Sequence, residues 1–138
     1  MKIIYTEGAP TPAGHYSQAV EENGFVFVSG MLPDRASIDP ASAGFVAQTE
    51  AVLKQCRAVL AEAGCSFGDI VQCTAYIVGV ANWPAFNQVY GHFLGDHKPA
   101  RAVVPVPELH HGFLVEVQVT ARRPGHAEHH SRSGGCDA

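Results

Sequence analysis

Asn23-Gly24, set between two runs of strand-forming residues, constrains this chain more than any other feature. A type I′ turn needs positive φ at both central residues, and Asn-Gly supplies it at little cost. Residues 16–20 and 25–29 therefore read as the arms of a hairpin across Glu21-Glu22-Asn23-Gly24. The second arm, Phe25-Val26-Phe27-Val28-Ser29, is apolar on consecutive residues, so both of its faces are expected to be covered, as in an interior strand. Such a strand requires a sheet around it, and the rest of the sequence must provide the other strands and a covering layer.

Residues 31–44 are rich in Pro, Asp, Ser and Ala and read as a surface loop. Phe45, Thr49, Val52, Leu53, Cys56, Val59, Leu60 and Ala63 then recur at helical spacing, with Glu50, Lys54, Arg57 and Glu62 mostly off the stripe, and Gly64 is placed to cap the helix. Residues 70–80 form a strand with Val71, Cys73, Ala75 and Ile77 on one face and Gln72, Thr74, Tyr76 and Val78 on the other. Asn82-Trp83-Pro84 opens a second helix, with Asn82 as acceptor for its first amides, that runs to about Leu94 before Gly95. In residues 101–107, Pro105 and Pro107 each remove a ladder donor, so this strand belongs at an edge or carries a bulge. Residues 113–121 alternate, with Phe113, Val115, Val117 and Val119 facing a core and Leu114, Glu116, Gln118 and Thr120 opposite.

The order strand, hairpin, helix, strand, helix, strand, strand implies an α+β fold, one mixed sheet with two helices on a single face. The other face, carrying Tyr76, Val78 and Leu114 beside polar residues, is expected to be covered by another subunit. At 138 residues, the length suits one domain over residues 1–123, and 124–138, rich in His, Ser, Gly and charge, reads as a disordered tail. The apolar run at the N-terminus is too short for a signal peptide and no segment approaches membrane-spanning length, so a soluble cytoplasmic protein is expected. A formal charge of -4 without a basic cluster disfavours nucleic acid as a partner. Cys56, Cys65, Cys73 and Cys136 form no Cys-x-x-Cys pair and are expected to be reduced packing groups.

No phosphate loop, nucleophile elbow or metalloprotease helix is present. Arg101 opens a strand, where a guanidinium either reaches solvent or grips a small carboxylate with its planar fork. Glu116 is either a charge on a half-wet sheet face or a site residue. Tyr16 and Ser29 carry hydroxyls that backbone groups could satisfy, and Asn87 and Tyr90 sit one helical turn apart. His110 and His111 are adjacent, so on a strand they would face opposite ways, and no metal site is expected from them or from His92, His97, His129 and His130.

Gly14-His15-Tyr16-Ser17-Gln18-Ala19-Val20, Phe27-Val28-Ser29-Gly30, Phe86-Asn87-Gln88-Val89-Tyr90, Lys98-Pro99-Ala100-Arg101 and Leu114-Val115-Glu116-Val117 resemble, in order, the RidA/YjgF family, also called the L-PSP endoribonuclease family. The resemblance runs from about residue 9 to 121, and the Lys-Pro-Ala-Arg segment with its glutamate fifteen residues later is its most specific part. It implies a chorismate-mutase-like fold assembled as a homotrimer with sites between subunits. It also implies hydrolysis of 2-aminoacrylate and related enamines or imines to 2-keto acids and ammonia, with no metal or organic cofactor. Arg101 would anchor the substrate carboxylate, Glu116 would hold the hydrolytic water, and Tyr16, Ser29, Gly30 and Asn87 would line the pocket.

The chain departs from the family pattern at His15, where proline is common, and at Val103, a pocket position where Cys, Thr or Ser is usual. The loop 31–44 lacks the common Gly- and acid-rich pattern, and His110-His111 replace a typical Pro-Lys pair. These differences leave two competing readings. One is a narrower catabolic deaminase acting on an aminomuconate-like compound. The other is a non-enzymatic or RNA-associated role, against which the acidic balance argues.

Overall fold

The computed structural model describes residues 1–125. Its strands are β1 (Lys2–Ile4), β2 (Ala19–Glu22), β3 (Phe25–Met31), β4 (Ile70–Val78), β5 (Ala100–Val106) and β6 (Val115–Arg122). Two helices, α1 (Phe45–Glu62) and α2 (Trp83–Leu94), separate them along the chain. The sheet order is β1-β2-β3-β6-β4-β5, and only β4 and β5 run parallel. This is the mixed sheet with two helices that the patterning predicts. The expected tail falls almost wholly outside the described residues.

Local chemistry accounts for the element boundaries. Asn23 and Gly24 have φ of 52° and 81°, and Glu22 pairs with Phe25 across them, as a two-residue turn with positive φ requires. Gly64, at φ 81°, ends α1: its amide bonds Ala61 O at 3.0 Å and the Cys65 amide bonds Leu60 O at 2.8 Å, the paired bonds of a Schellman cap. Pro84 lies in the first turn of α2 as expected, but Asn82 makes no cap. Its amide instead donates to Val78 O at 2.9 Å and ties the helix entry to the end of β4.

The core lies between the helices and one sheet face. Val52, Leu53, Cys56, Val59 and Leu60 of α1 are at most 1% exposed and pack with Val26, Val28, Cys73, Ala75, Ile77, Val115, Val117 and Val119. Each fully buried Val or Leu contributes about 1.5–3 kcal/mol relative to exposure, enough to select this register over a one-residue slip. The prolines of residues 101–107 end up in or beside β5, which has a neighbour on one side only, so the missing donor of Pro105 interrupts no central ladder.

Three expectations need correction. Val71 is 41% exposed and does not share a face with Cys73, because the ladder with β6 is irregular between Ile70 and Gln72 and Ile70 takes the buried place. His110 and His111 lie in a short 3-10 turn, not a strand, so their rings are 3.6 Å apart instead of on opposite faces. β3 is interior in its hydrogen bonding, between β2 and β6, yet Phe27 is 46% exposed on the face away from the helices.

Candidate functional site

Glu116 alternates with the fully buried Val115 and Val117 on β6, and so projects from the sheet face that the helices leave bare. Opposite it, β3 carries an irregularity: Val28 pairs with Val119 and Met31 with Val117, leaving Ser29 and Gly30 against one β6 position. Gly30 at this bulge lets the Glu116 side chain lie flat on the β3 backbone, since a Cβ there would overlap Glu116 Oε2. No described hydrogen-bond donor reaches the carboxylate, and burial alone raises its pKa above the ordinary glutamate value. A half-desolvated carboxylate with open lone pairs is suited to accept a proton from water.

Gly30→Ala is expected to leave the fold intact while displacing this carboxylate, because the overlapping atom is the far end of a flexible side chain. An unchanged thermal midpoint with activity reduced by at least about tenfold is the expected result, as a misplacement near 1 Å costs on that order or more. Retained activity would mean that the Glu116 position is not critical.

Beside Gly30 opens a cleft of about 470 Å³ whose lining includes Tyr16, Ser29, Arg35, Gln55 and His111. Tyr16 is 54% exposed with its ring against Gly14. Ser29 directs its hydroxyl away, donating to Ser17 O at 2.6 Å, so it braces the hairpin. Three buried glutamines fix the loops around the cleft, a role that polarity alone did not suggest. Gln18 accepts from Thr6 N and donates to Pro10 O, Gln55 accepts from Asp34 N and donates to Leu32 O, and Gln48 accepts from Leu114 N. Gln48 and Gln55 are seven residues apart on the apolar stripe of α1, and that position was the signal of an inward amide.

Arg101 is on the other side of the sheet. It pairs in register with Cys73, and Val103 with Ala75, so the side chains of Arg101 and Val103 share the helix-facing side. Val103 is only 9% exposed and packs into the core. The Arg101 guanidinium donates to Asn87 Oδ1 at 2.9 Å and lies 5.0 Å from the Tyr90 ring centre and 5.9 Å from that of Phe86. Phe86 and Tyr90 are themselves stacked at 5.5 Å. This aromatic shelf orients the cation, while the rest of its donor fork stays without a carboxylate within 4.0 Å among the described residues.

The seven expected site residues thus separate into two groups. Tyr16, Ser29, Gly30 and Glu116 come together, as do Arg101, Asn87 and Val103, but one chain holds the groups on opposite faces of its sheet. Among the described residues no cluster of three His, Cys, Asp or Glu is placed to hold a metal ion. Burial pushes the Cys56 thiol up to about 12 and the Cys73 thiol to about 11, so both stay protonated at neutral pH and serve as packing groups. No helix among the described residues is long and apolar enough to cross a membrane.

Comparison with known proteins agrees with this architecture. The family model described as Endoribonuclease L-PSP matches residues 6–123. A RutC family protein of Pyrococcus abyssi is 38% identical over 125 residues, covering 87% of this chain and 95% of its own. Among solved structures, RidA from an Antarctic Psychrobacter superposes with a TM-score of 0.82 at 32% identity, over 88% of this chain and 99% of its own. Escherichia coli TdcF, solved with bound serine, gives 0.80 at 32% identity, over 89% and 99%. With this fold and these matches over most of its length, the chain belongs to the L-PSP endoribonuclease family, the family also known as RidA/YjgF.

Proposed function

We propose that this protein is a hydrolytic deaminase that converts reactive enamine or imine intermediates resembling 2-aminoacrylate to 2-keto acids and ammonia, with residues 1–123 as one catalytic domain of a homotrimer. The observation that carries this reading is the division of complementary chemistry between two sheet faces. An oriented guanidinium lies on one and a desolvated carboxylate beside a cleft on the other. Arg101 from one copy and Glu116 from the next complete a site that a single chain lacks. The same contact would cover Phe27 and its neighbours on the bare face. The serine in TdcF is a small molecule with the carboxylate and α-nitrogen that such a site would recognise.

In the reaction, Arg101 would hold the substrate carboxylate by two parallel hydrogen bonds, with Tyr16 beside the reacting end. An imine carbon is already electrophilic, so placing a water about 3 Å from it supplies much of the catalysis. Starting from the protonated imine, Glu116 takes a proton from that water as oxygen bonds to carbon and the C=N electron pair moves to nitrogen, leaving a neutral amine. Glu116 returns that proton to nitrogen, then accepts the hydroxyl proton as the C–N bond breaks and the C=O bond forms, and the keto acid and ammonia leave, the second proton passing to ammonia or solvent. Addition of the protein to an amino-acid oxidase reaction is expected to accelerate keto-acid and ammonia release. No acceleration with any of several amino acids would overturn the reading.

The pH dependence has a definite sign. Burial raises the Glu116 pKa above the ordinary glutamate value, and the rate should rise with pH through that raised value as the base ionises. For stability the sign is opposite. The folded chain keeps the Glu116 proton longer than the unfolded chain, so stability is full below the unfolded pKa and declines as pH rises through the folded one. Glu116→Gln is therefore expected to abolish turnover yet raise the thermal midpoint at neutral pH. A lowered midpoint, or a rate that stays flat through the carboxylate range, would remove Glu116 from the base role.

A further inference from the structure

The cleft beside Gly30 has a second polar end that this deamination chemistry leaves unused. Its volume, about 470 Å³, falls among pockets that hold much larger ligands than a three-carbon enamine. At that end Arg35 Nη1 lies 3.2 Å from His111 Nε2. A guanidinium only donates, so Nε2 must be the acceptor and the imidazole is neutral with its proton on Nδ1. Partial desolvation, the Arg35 charge and His110 together hold the His111 pKa below its ordinary value.

The backbone that carries each of these exposed side chains is held in place. Asp34 Oδ1 accepts the Ala36 amide at 3.0 Å and the Asp34 amide donates to the buried Gln55 at 2.9 Å, which locks the turn carrying Arg35. His111 is held at φ 63°, before Gly112 at φ 80°, with its ring 3.6 Å from that of His110. Among the described residues no carboxylate lies within 4.0 Å of Arg35. The acids that line the cleft are Glu7 and Asp34, the latter engaged in its own turn. Arg35 thus spends one donor on a weak neutral acceptor that a carboxylate could replace. A carboxylate between the two would offset the Arg35 charge, so that His111 would take up a proton and donate to the same anion.

We infer that Arg35 and His111 bind a second carboxylate on the substrate, so that the preferred imines are those of dicarboxylic amino acids. This rests on the deaminase reading and specifies its substrate class. Arg101 of one copy would hold the α-carboxylate, and Arg35 in the other copy's cleft the distal one, with the C=N carbon between them near Glu116.

The test compares 2-iminoglutarate, generated by glutamate oxidase, with the neutral imine of norvaline, generated by a general amino-acid oxidase. Wild-type kcat/KM is expected to favour the acidic imine by about tenfold or more, the scale of one charge-assisted hydrogen bond. Arg35→Gln should lower kcat/KM for the acidic imine about tenfold more than for the neutral one, and His111→Asn, which tolerates positive φ, should act in the same direction. Equal turnover of both imines, or an acidic preference that survives Arg35→Gln, overturns this inference alone. Acceleration of neither overturns the deaminase reading with it.

Discussion

Arg101→Ala is expected to lower kcat/KM for imine hydrolysis by roughly 30- to 5,000-fold, the equivalent of the 2–5 kcal/mol lost when one partner of a desolvated charge pair is removed. The fold should survive. Arg101 is only half-buried, its partner Asn87 is exposed, and stacking on Phe86 and Tyr90 accounts for about 0.5–1 kcal/mol at such a site. Arg101→Lys keeps the charge but loses the planar fork, and with it both the Asn87 contact and bidentate recognition, so it should recover only a small part of the activity. The measurement is initial ammonia release at several substrate concentrations. A loss smaller than about fivefold would show that the carboxylate is held elsewhere.

Co-expression of Arg101→Ala and Glu116→Gln chains, each strongly impaired alone, is expected to restore activity to about a quarter of wild type. If subunits mix at random in a trimer, three quarters of the trimers contain both variants, and each of those has one intact pairing among three sites. The expectation follows from the geometry, because Arg101 faces α2 while Glu116 faces the bare side of the sheet. If both residues served one site within a chain, mixing would restore nothing, so absence of rescue in verified mixed oligomers would sink the shared-site arrangement.

Much of the fold was legible from short-range chemistry. Asn23-Gly24 determines a turn because few other pairs accept its φ values, and the α1 stripe and Gly64 cap follow from the 3.6-residue period. The alternation along β6 gave the core face because side chains in a strand alternate strictly. Val71 misled because a bulge breaks that alternation, and nothing within residues 70–80 marks it: the irregularity belongs to the pairing with β6. Asn82 misled for a related reason, since its amide found the carbonyl of Val78 in the fold and left the helix amides uncapped.

The candidate site divides along the same line. Sequence by itself nominated the candidate residues Arg101, Glu116, Tyr16, Ser29, Gly30, Asn87 and Val103, through their resemblance to a family pattern, and required strand 101–107 to lie at an edge or carry a bulge, because a missing proline donor is a property of residue type. Only the tertiary structure decided that Arg101 rests on Phe86 and Tyr90, that Ser29 turns to Ser17, that Gln18, Gln48 and Gln55 point inward, and that the arginine and glutamate lie on opposite faces. Those facts depend on which strands become neighbours and in what register. Register is set by burial summed over the whole core, a quantity that no local stretch of sequence contains.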